Sequence, residues 1–231
     1  MASTPPTEEA FLREVDEELR REQLQTMWKH YGVIALVAVL LLLAGFAAFL
    51  FWRSESLKKA EAQGEQMSAA MADIQAGRKT DAGKKVDTLI ADGGPGYHVA
   101  GLLTKAVLAA DKGDAKAAAA IYAGITADES VAQPYRDLAV IRQTLIEYDS
   151  LKPQTVIDRM KPLAIEGSAF FGTAGELTAI ALIQTNRAAE AGRLLAAVAR
   201  DTRSPATLRA RAGRLANSLG ADAGAVSADK D

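Results

Sequence analysis

Two histidines, no cysteine and a few adjacent acid pairs are what this 231-residue chain offers to catalysis or metal binding. His30 and His98 each lack a second histidine at metal-ligand spacing, and neither sits in a motif with serine and a carboxylate that would make it a general base. Without cysteine the chain forms no disulfide, thiolate zinc site or thiol nucleophile. Glu8-Glu9 and Asp128-Glu129 are neighbours along the backbone, whereas general acid–base work needs carboxyl groups set across a cleft. The stretch ADGGPGYH at 91–98 carries the glycines of a phosphate-cradling loop. No Lys-Ser or Lys-Thr follows it and no strand precedes it, so it reads as a turn between helices. We therefore expect no catalytic residue, no cofactor, no metal and no enzyme activity, and these patterns assign no protein-binding residue.

The segment that must position everything else is the apolar run from Val33 to Trp52, twenty residues without charge, amide or proline. At 1.5 Å per helical residue it covers the ~30 Å hydrocarbon thickness of a bilayer. A core helix of a soluble protein would keep a polar stripe, and this one keeps none. A secretory signal would have a basic start and a shorter apolar region. Here the first thirty residues hold seven acids against four bases, and the nearest cleavage-like triplet, Ala60-Glu61-Ala62, lies well beyond the run. Trp28 and Tyr31 at one end and Trp52 at the other suit the headgroup level. The reading is an uncleaved transmembrane helix over 31–53. Arg13, Arg20, Arg21 and Lys29 before it nearly balance Arg53, Lys58 and Lys59 after it, a slight lean toward an N-terminus inside.

Before the span, MASTPPT is proline-rich and expected to be disordered. Phe11, Leu12, Val15 and Leu19 then fall at helical spacing among alternating charges, which predicts a short amphipathic helix within 1–30. Its acidity argues against docking on anionic lipid, and it reads as a solvated lead-in to the span more readily than as a grip for a partner. Net charge is −2 for the whole chain, and beyond residue 30 there are 23 bases against 22 acids, with no basic cluster to mark a nucleic-acid surface.

From residue 54 to 220 the chain has a long rhythm. Turn-like breaks at Gly77, Gly113, Ser150 and Asn186 recur about every 36 residues, and a second series at Gly94, Val131, Gly167 and Ser204 falls between them. Two interleaved series predict pairs of helices. Val99, Leu102, Leu103, Ala106, Val107 and Ala110 follow the spacing of a core-facing helix, as do Ala118, Ile121, Tyr122 and Ile125, and Ala191, Leu194, Leu195 and Val198. Tyr135, Leu138, Ile141, Leu145 and Tyr148 form another stripe, and Leu208, Ala212, Leu215 and Leu219 a last one. The unit around Thr155, framed by Pro153 and Pro162, fits less well, with Ile157, Met160 and Ala164 displaced. No stretch alternates with period two over a strand's length. The expected fold is all-α: one N-terminal transmembrane helix followed by a solenoid of helical repeats of the tetratricopeptide type, closed by a polar cap with Arg203, Arg209, Arg211 and Arg214. The tail 221–231 has too few large apolar residues to pack.

The acidic FLREVDEELRREQLQTMWKHYG leading into one span, YRDLAVIRQT at 135–144, ELTAIALIQTNRAAEAGRLLAAV at 176–198 and SPATLRARAGRLANSLG at 204–220 together resemble the tetratricopeptide-like ancillary subunit family of the bacterial SecYEG translocon. The resemblance implies a single-pass inner-membrane protein with a cytoplasmic N-terminus and a periplasmic helical domain. It further implies association with the SecYEG translocon, with periplasmic chaperones and with exported client proteins, helping new chains pass from one to the other. A membrane-anchored scaffold or regulator for envelope assembly, stress signalling or cell division would use the same architecture.

Overall fold

The computed structural model describes residues 6–222, with the backbone alone for 6–19, 22–27, 30 and 35. Among these residues the chain forms nine α-helices and no strand. They are α1 (Pro6–Gln75), α2 (Lys79–Asp92), α3 (Pro95–Asp111), α4 (Ala115–Ala127), α5 (Gln133–Glu147), α6 (Pro153–Met160), α7 (Phe171–Gln184), α8 (Ala188–Arg200) and α9 (Ala206–Ser218). The chain divides into two compact units, 1–61 and 62–231.

Within the first unit, the short helix expected before the span is not a separate element, because α1 runs through it without a break. The physical reason is an absence of breakers: after Pro6 no proline occurs in α1, and isolated Gly32, Gly45 and Gly64 cost roughly 1 kcal/mol each without removing a hydrogen bond. Of the segment expected to be disordered, residues 1–5 lie outside the described residues. Pro6 and Thr7 open α1, where proline's missing N–H is no loss. Leu40 to Leu43, Phe46, Phe49 and Phe51 are all exposed, and nothing among the described residues covers the apolar window. A helix this long and apolar is able to cross a membrane.

The second unit begins inside α1 and is built of hairpins. All eight turn-like breaks read from the sequence fall between helices. Gly77, Gly113 and Asn186 adopt left-handed backbone, φ +76°, +84° and +59°. At each, the following N–H bonds back to a carbonyl five residues earlier: Arg78 to Asp73 at 2.8 Å, Asp114 to Ala109 and Arg187 to Leu182 at 2.9 Å. Gly220 repeats the device at the end of α9, with Ala221 bonding to Ala216 at 3.0 Å. These Schellman closures satisfy the last carbonyls of α1, α3, α7 and α9 and reverse the chain. Helix α5 is the exception. It ends in a 3-10 turn at Tyr148–Ser150, and Pro153 then starts an α6 of only eight residues.

That exception divides the interior. One core holds Val99, Ala106, Tyr122, Ile125, Val131 and Ala139. A larger one runs from Ile141 through Val156, Met160, Phe171, Leu177, Leu195 and Val198 to Leu208, Ala212 and Ala216. Helix α5 contributes Ala139 to the first and Ile141 to the second, so it is a wall between two compartments. It packs closely on α4 and only sparsely on α6. Between α5 and α6 the structure places an ion pair, Arg159 Nη1 to Glu147 Oε2 at 2.5 Å, beside a Tyr148 phenol that is buried without a hydrogen-bond partner.

This two-sided burial corrects two of the expected stripes. In α3 the buried residues are Val99, Gly101, Ala106 and Leu108, while Val107 and Ala110 are exposed. In α5 they are Ala139, Ile141 and Thr144, and Tyr135 and Leu145 face out. A one-face helical template cannot represent a helix with neighbours on both sides. At the far end, Leu219 and Ala221 pack against the larger core, so that Ala221, expected in the loose tail, caps α8. The rest of that tail, from residue 223, lies outside the described residues.

Candidate functional site

The residues that drew attention as possible chemistry are not brought together. His98 sits in the first turn of α3, where its Nδ1–H donates to the carbonyl of Ile90 at 2.6 Å and ties α3 to the end of α2. Asp128 Oδ1 accepts from the backbone N–H and hydroxyl of Ser130 at 2.9 and 2.7 Å, and these bonds hold its carboxyl below the usual range. That is the chemistry of a closed turn. Glu129 is exposed beside it. The side chains of His30, Glu8 and Glu9 lie outside the described residues. The glycine stretch is the expected turn between α2 and α3, and the N–H of Gly94 is taken by Gln63 Oε1 at 3.2 Å. An anion would have to displace that side chain.

Charged groups elsewhere join neighbouring elements. Asp73, 5 % exposed, accepts from Lys85 at 2.5 Å and from Arg78, whose Nε lies 2.9 Å away. Lys85 and then Arg78 hold its carboxyl below the ordinary value. The pair locks the end of α1 onto α2. Arg211 forks onto Glu176 at 2.5 and 2.6 Å, joining α9 to α7. Arg203 reaches Gly167 O at 2.9 Å, and Arg209 reaches Thr202 O at 3.2 Å. Burial alone would raise Asp201, but donors from Arg203 and Ser204 outweigh it and leave its carboxyl lowered. Of the arginines expected to form a polar cap, Arg203, Arg209 and Arg211 therefore also stitch its turns and helices, donating to carbonyls or carboxylates, while Arg214 is exposed.

Some large apolar side chains of the second unit are left in water, Ile165 at 58 % exposed among them. Val107 on α3 and Tyr135 and Leu145 on α5 are 50 %, 43 % and 43 % exposed, on helices that touch each other. Tyr135, Leu138, Arg142 and Leu145 recur at the three- and four-residue spacing that puts them on one side of α5. Helix α3 touches α5, and α7 touches α9, so within each half the first helices of neighbouring hairpins pack on one another. Apolar groups with an arginine among them on such a layer suit contact with another polypeptide, since a large side chain left in water gains free energy when covered. Sequence reasoning missed this surface by assigning the same residues to the core. The usable signal was the excess of apolar positions on α5, more than one buried face can hold.

Residues 25–208 match the family model described as the tetratricopeptide repeat-like domain. No curated protein and no solved structure matches the chain.

Proposed function

Because the chain belongs to the tetratricopeptide repeat-like domain family, we propose that it is a protein–protein interaction module held at a membrane by α1, and that its partners are the Sec translocon, periplasmic chaperones and exported clients. The observation that carries the interaction reading is the exposed apolar layer of Val107, Tyr135 and Leu145 in a fold whose hairpins stack to display such a surface. The anchor reading is supported by an uncovered apolar helix of sufficient length. The choice of partners, and the arrangement with the N-terminus in the cytoplasm and the repeats in the periplasm, are supported by the resemblance of the N-terminal helix, span and repeat blocks to the translocon's ancillary subunits.

In this reading the two units divide the work. Residues flanking the span meet translocon helices, and the α3–α5 layer receives a chaperone or an emerging chain. Photo-crosslinkers at Tyr31 and Trp52 in intact cells should capture translocon subunits, and those at Tyr135 and Leu145 should capture chaperones or clients. Lipid alone at the first pair would sink the translocon assignment. One fixed envelope protein at the second pair would favour a scaffold instead.

A further inference from the structure

Among α2 to α9, every consecutive pair of helices packs closely except α5 and α6. The first helices of the hairpins follow the same division. Helix α3 touches α5 and α7 touches α9, while α5 and α7, on either side of the seam, pack less on each other than either of those pairs. The seam coincides with the boundary between the two cores. Its origin is local: Pro153 opens α6, and Pro162, with no N–H to extend a helix, follows its end at Met160.

What crosses the seam is of two kinds. In the middle of α5, Ile141 is buried in the C-terminal core, with Val140 packed beside it. Toward its C-terminal end the link becomes polar. Glu147 accepts from Arg159 of α6, and Gln143 Nε2 lies 3.3 Å from the same carboxylate oxygen. The two ion-paired side chains keep 32 % and 27 % of their surface in water, which weakens their attraction. Next to them Tyr148 and Leu151 are only partly buried, and the Tyr148 hydroxyl is enclosed without a hydrogen-bond partner among the described residues. A hydroxyl so placed carries a free-energy cost that contact with water would remove. Glu147 lies six residues beyond Ile141, about 9 Å along the helix. One end of the contact is therefore easier to open than its middle.

We propose that this seam is a joint. The half ending in α5 and the half from α6 to α9 rock against each other about Ile141, and the Glu147–Arg159 pair is the latch that holds the joint closed. Rocking separates the ion pair and lets water reach the Tyr148 hydroxyl, while Ile141 stays covered. Sparse contact between two internally packed bodies is where such hinge motion is cheapest. The turn at Tyr148–Ser150 and the two residues after it take up the change in backbone direction. Since Val107, Tyr135 and Leu145 belong to one half, their angle to α7 and α9 varies with the joint, and a partner touching both halves selects one angle. The joint holds whichever partner that is.

The chain has no cysteine, so paired cysteines report the joint without background. The full chain, in lipid vesicles and diluted with unlabelled copies, carries nitroxides at Lys116→Cys and Arg193→Cys, one on each half. Lys84→Cys with Lys116→Cys, and Arg193→Cys with Arg214→Cys, report within the halves, and all four sites are exposed. Electron–electron dipolar spectroscopy then reads the distance distributions. The pair across the seam should be about twofold wider than either pair within a half. Arg159→Met should widen it further, and exchanging the charges by Glu147→Arg with Arg159→Glu should reverse that. Tyr148→Phe, which removes the enclosed hydroxyl, should narrow it. The distributions within each half should not change. A seam pair no wider than the others, or one indifferent to Arg159→Met and Tyr148→Phe, would overturn the proposal. So would Arg159→Met widening all three pairs alike, which would mark a general loosening of the fold.

Discussion

The two cores on either side of α5 are built from the same kind of helix pair, yet they hold together differently. The C-terminal core encloses Phe171, Met160, Leu195, Val156 and Val198 almost completely, whereas the N-terminal core is smaller, with Tyr122 and Ile125 its most deeply buried large side chains. Close packing of large groups makes a region stiff, because a lost atom leaves a hole its neighbours cannot fill. A core of fewer residues leaves more of the holding to ion pairs between neighbouring helices, as Asp73 with Lys85 and Arg78 does at the first hairpin. The stiff half carries the stitched arginine cap. The looser half carries the apolar layer proposed to meet partners, as expected where binding needs local adjustment.

The sharpest way to break this comparison is to empty each core in turn. Phe171→Ala should cost about 3–5 kcal/mol, with α7 to α9 losing hydrogen-exchange protection first, while Ile125→Ala should fall toward the lower end of the ~2–5 kcal/mol range. Equal losses in denaturant unfolding would abolish the distinction. A gentler probe adds one methyl. A Cβ on Gly175 would come within 2.7 Å of Val198, and one on Gly101 within 2.8 Å of Ile90. Val198 is wholly buried and β-branched, so Gly175→Ala should destabilise by about 1–3 kcal/mol. Ile90 is also β-branched, and the backbone carbonyl of Val86 lies 3.4 Å from the same point, but Ile90 is half-buried where Val198 is wholly buried. With the better helix propensity of alanine, ~0.5–1 kcal/mol, offsetting part of the clash, Gly101→Ala should destabilise less than Gly175→Ala. Thermal unfolding of the two variants reads the difference directly.

The smallest effect is expected with pH. Since Asp73 has a lowered pKa in the folded chain, its contribution is fully present above the unfolded carboxylate value of ~3.9 and disappears as pH falls through the folded one. Amide exchange in α2 should therefore accelerate below about pH 4. Asp73→Asn should remove that acid step and leave α2 less protected at neutral pH.

How far all this was legible in the chain depends on the range of the interaction involved. The breaks at Gly77, Gly113 and Asn186 could be read because a left-handed residue closing a helix is a property of a few adjacent residues. The irregular third hairpin was announced by Pro153 and Pro162 for the same reason. Tyr135 and Leu145 were misread because their apolar character is equally consistent with a core and with a surface awaiting a partner. Only the neighbours on both sides of α5 distinguish the two. That α1 also runs back without a break to Pro6 was missed, since periodicity changes where water would give way to lipid, although the backbone bonding does not change.

What the sequence by itself determined is the local grammar: an uninterrupted apolar helix, and helices paired about turn-like breaks. Burial of an alanine such as Ala139 in one core and of Ile141, two residues on, in another was decided only when the hairpins stacked. The reason is that backbone turns are fixed by near neighbours, whereas which side of a helix meets water depends on elements tens of residues away. The exposure of Val107 on α3 and of Tyr135 and Leu145 on α5 is an outcome of that second kind.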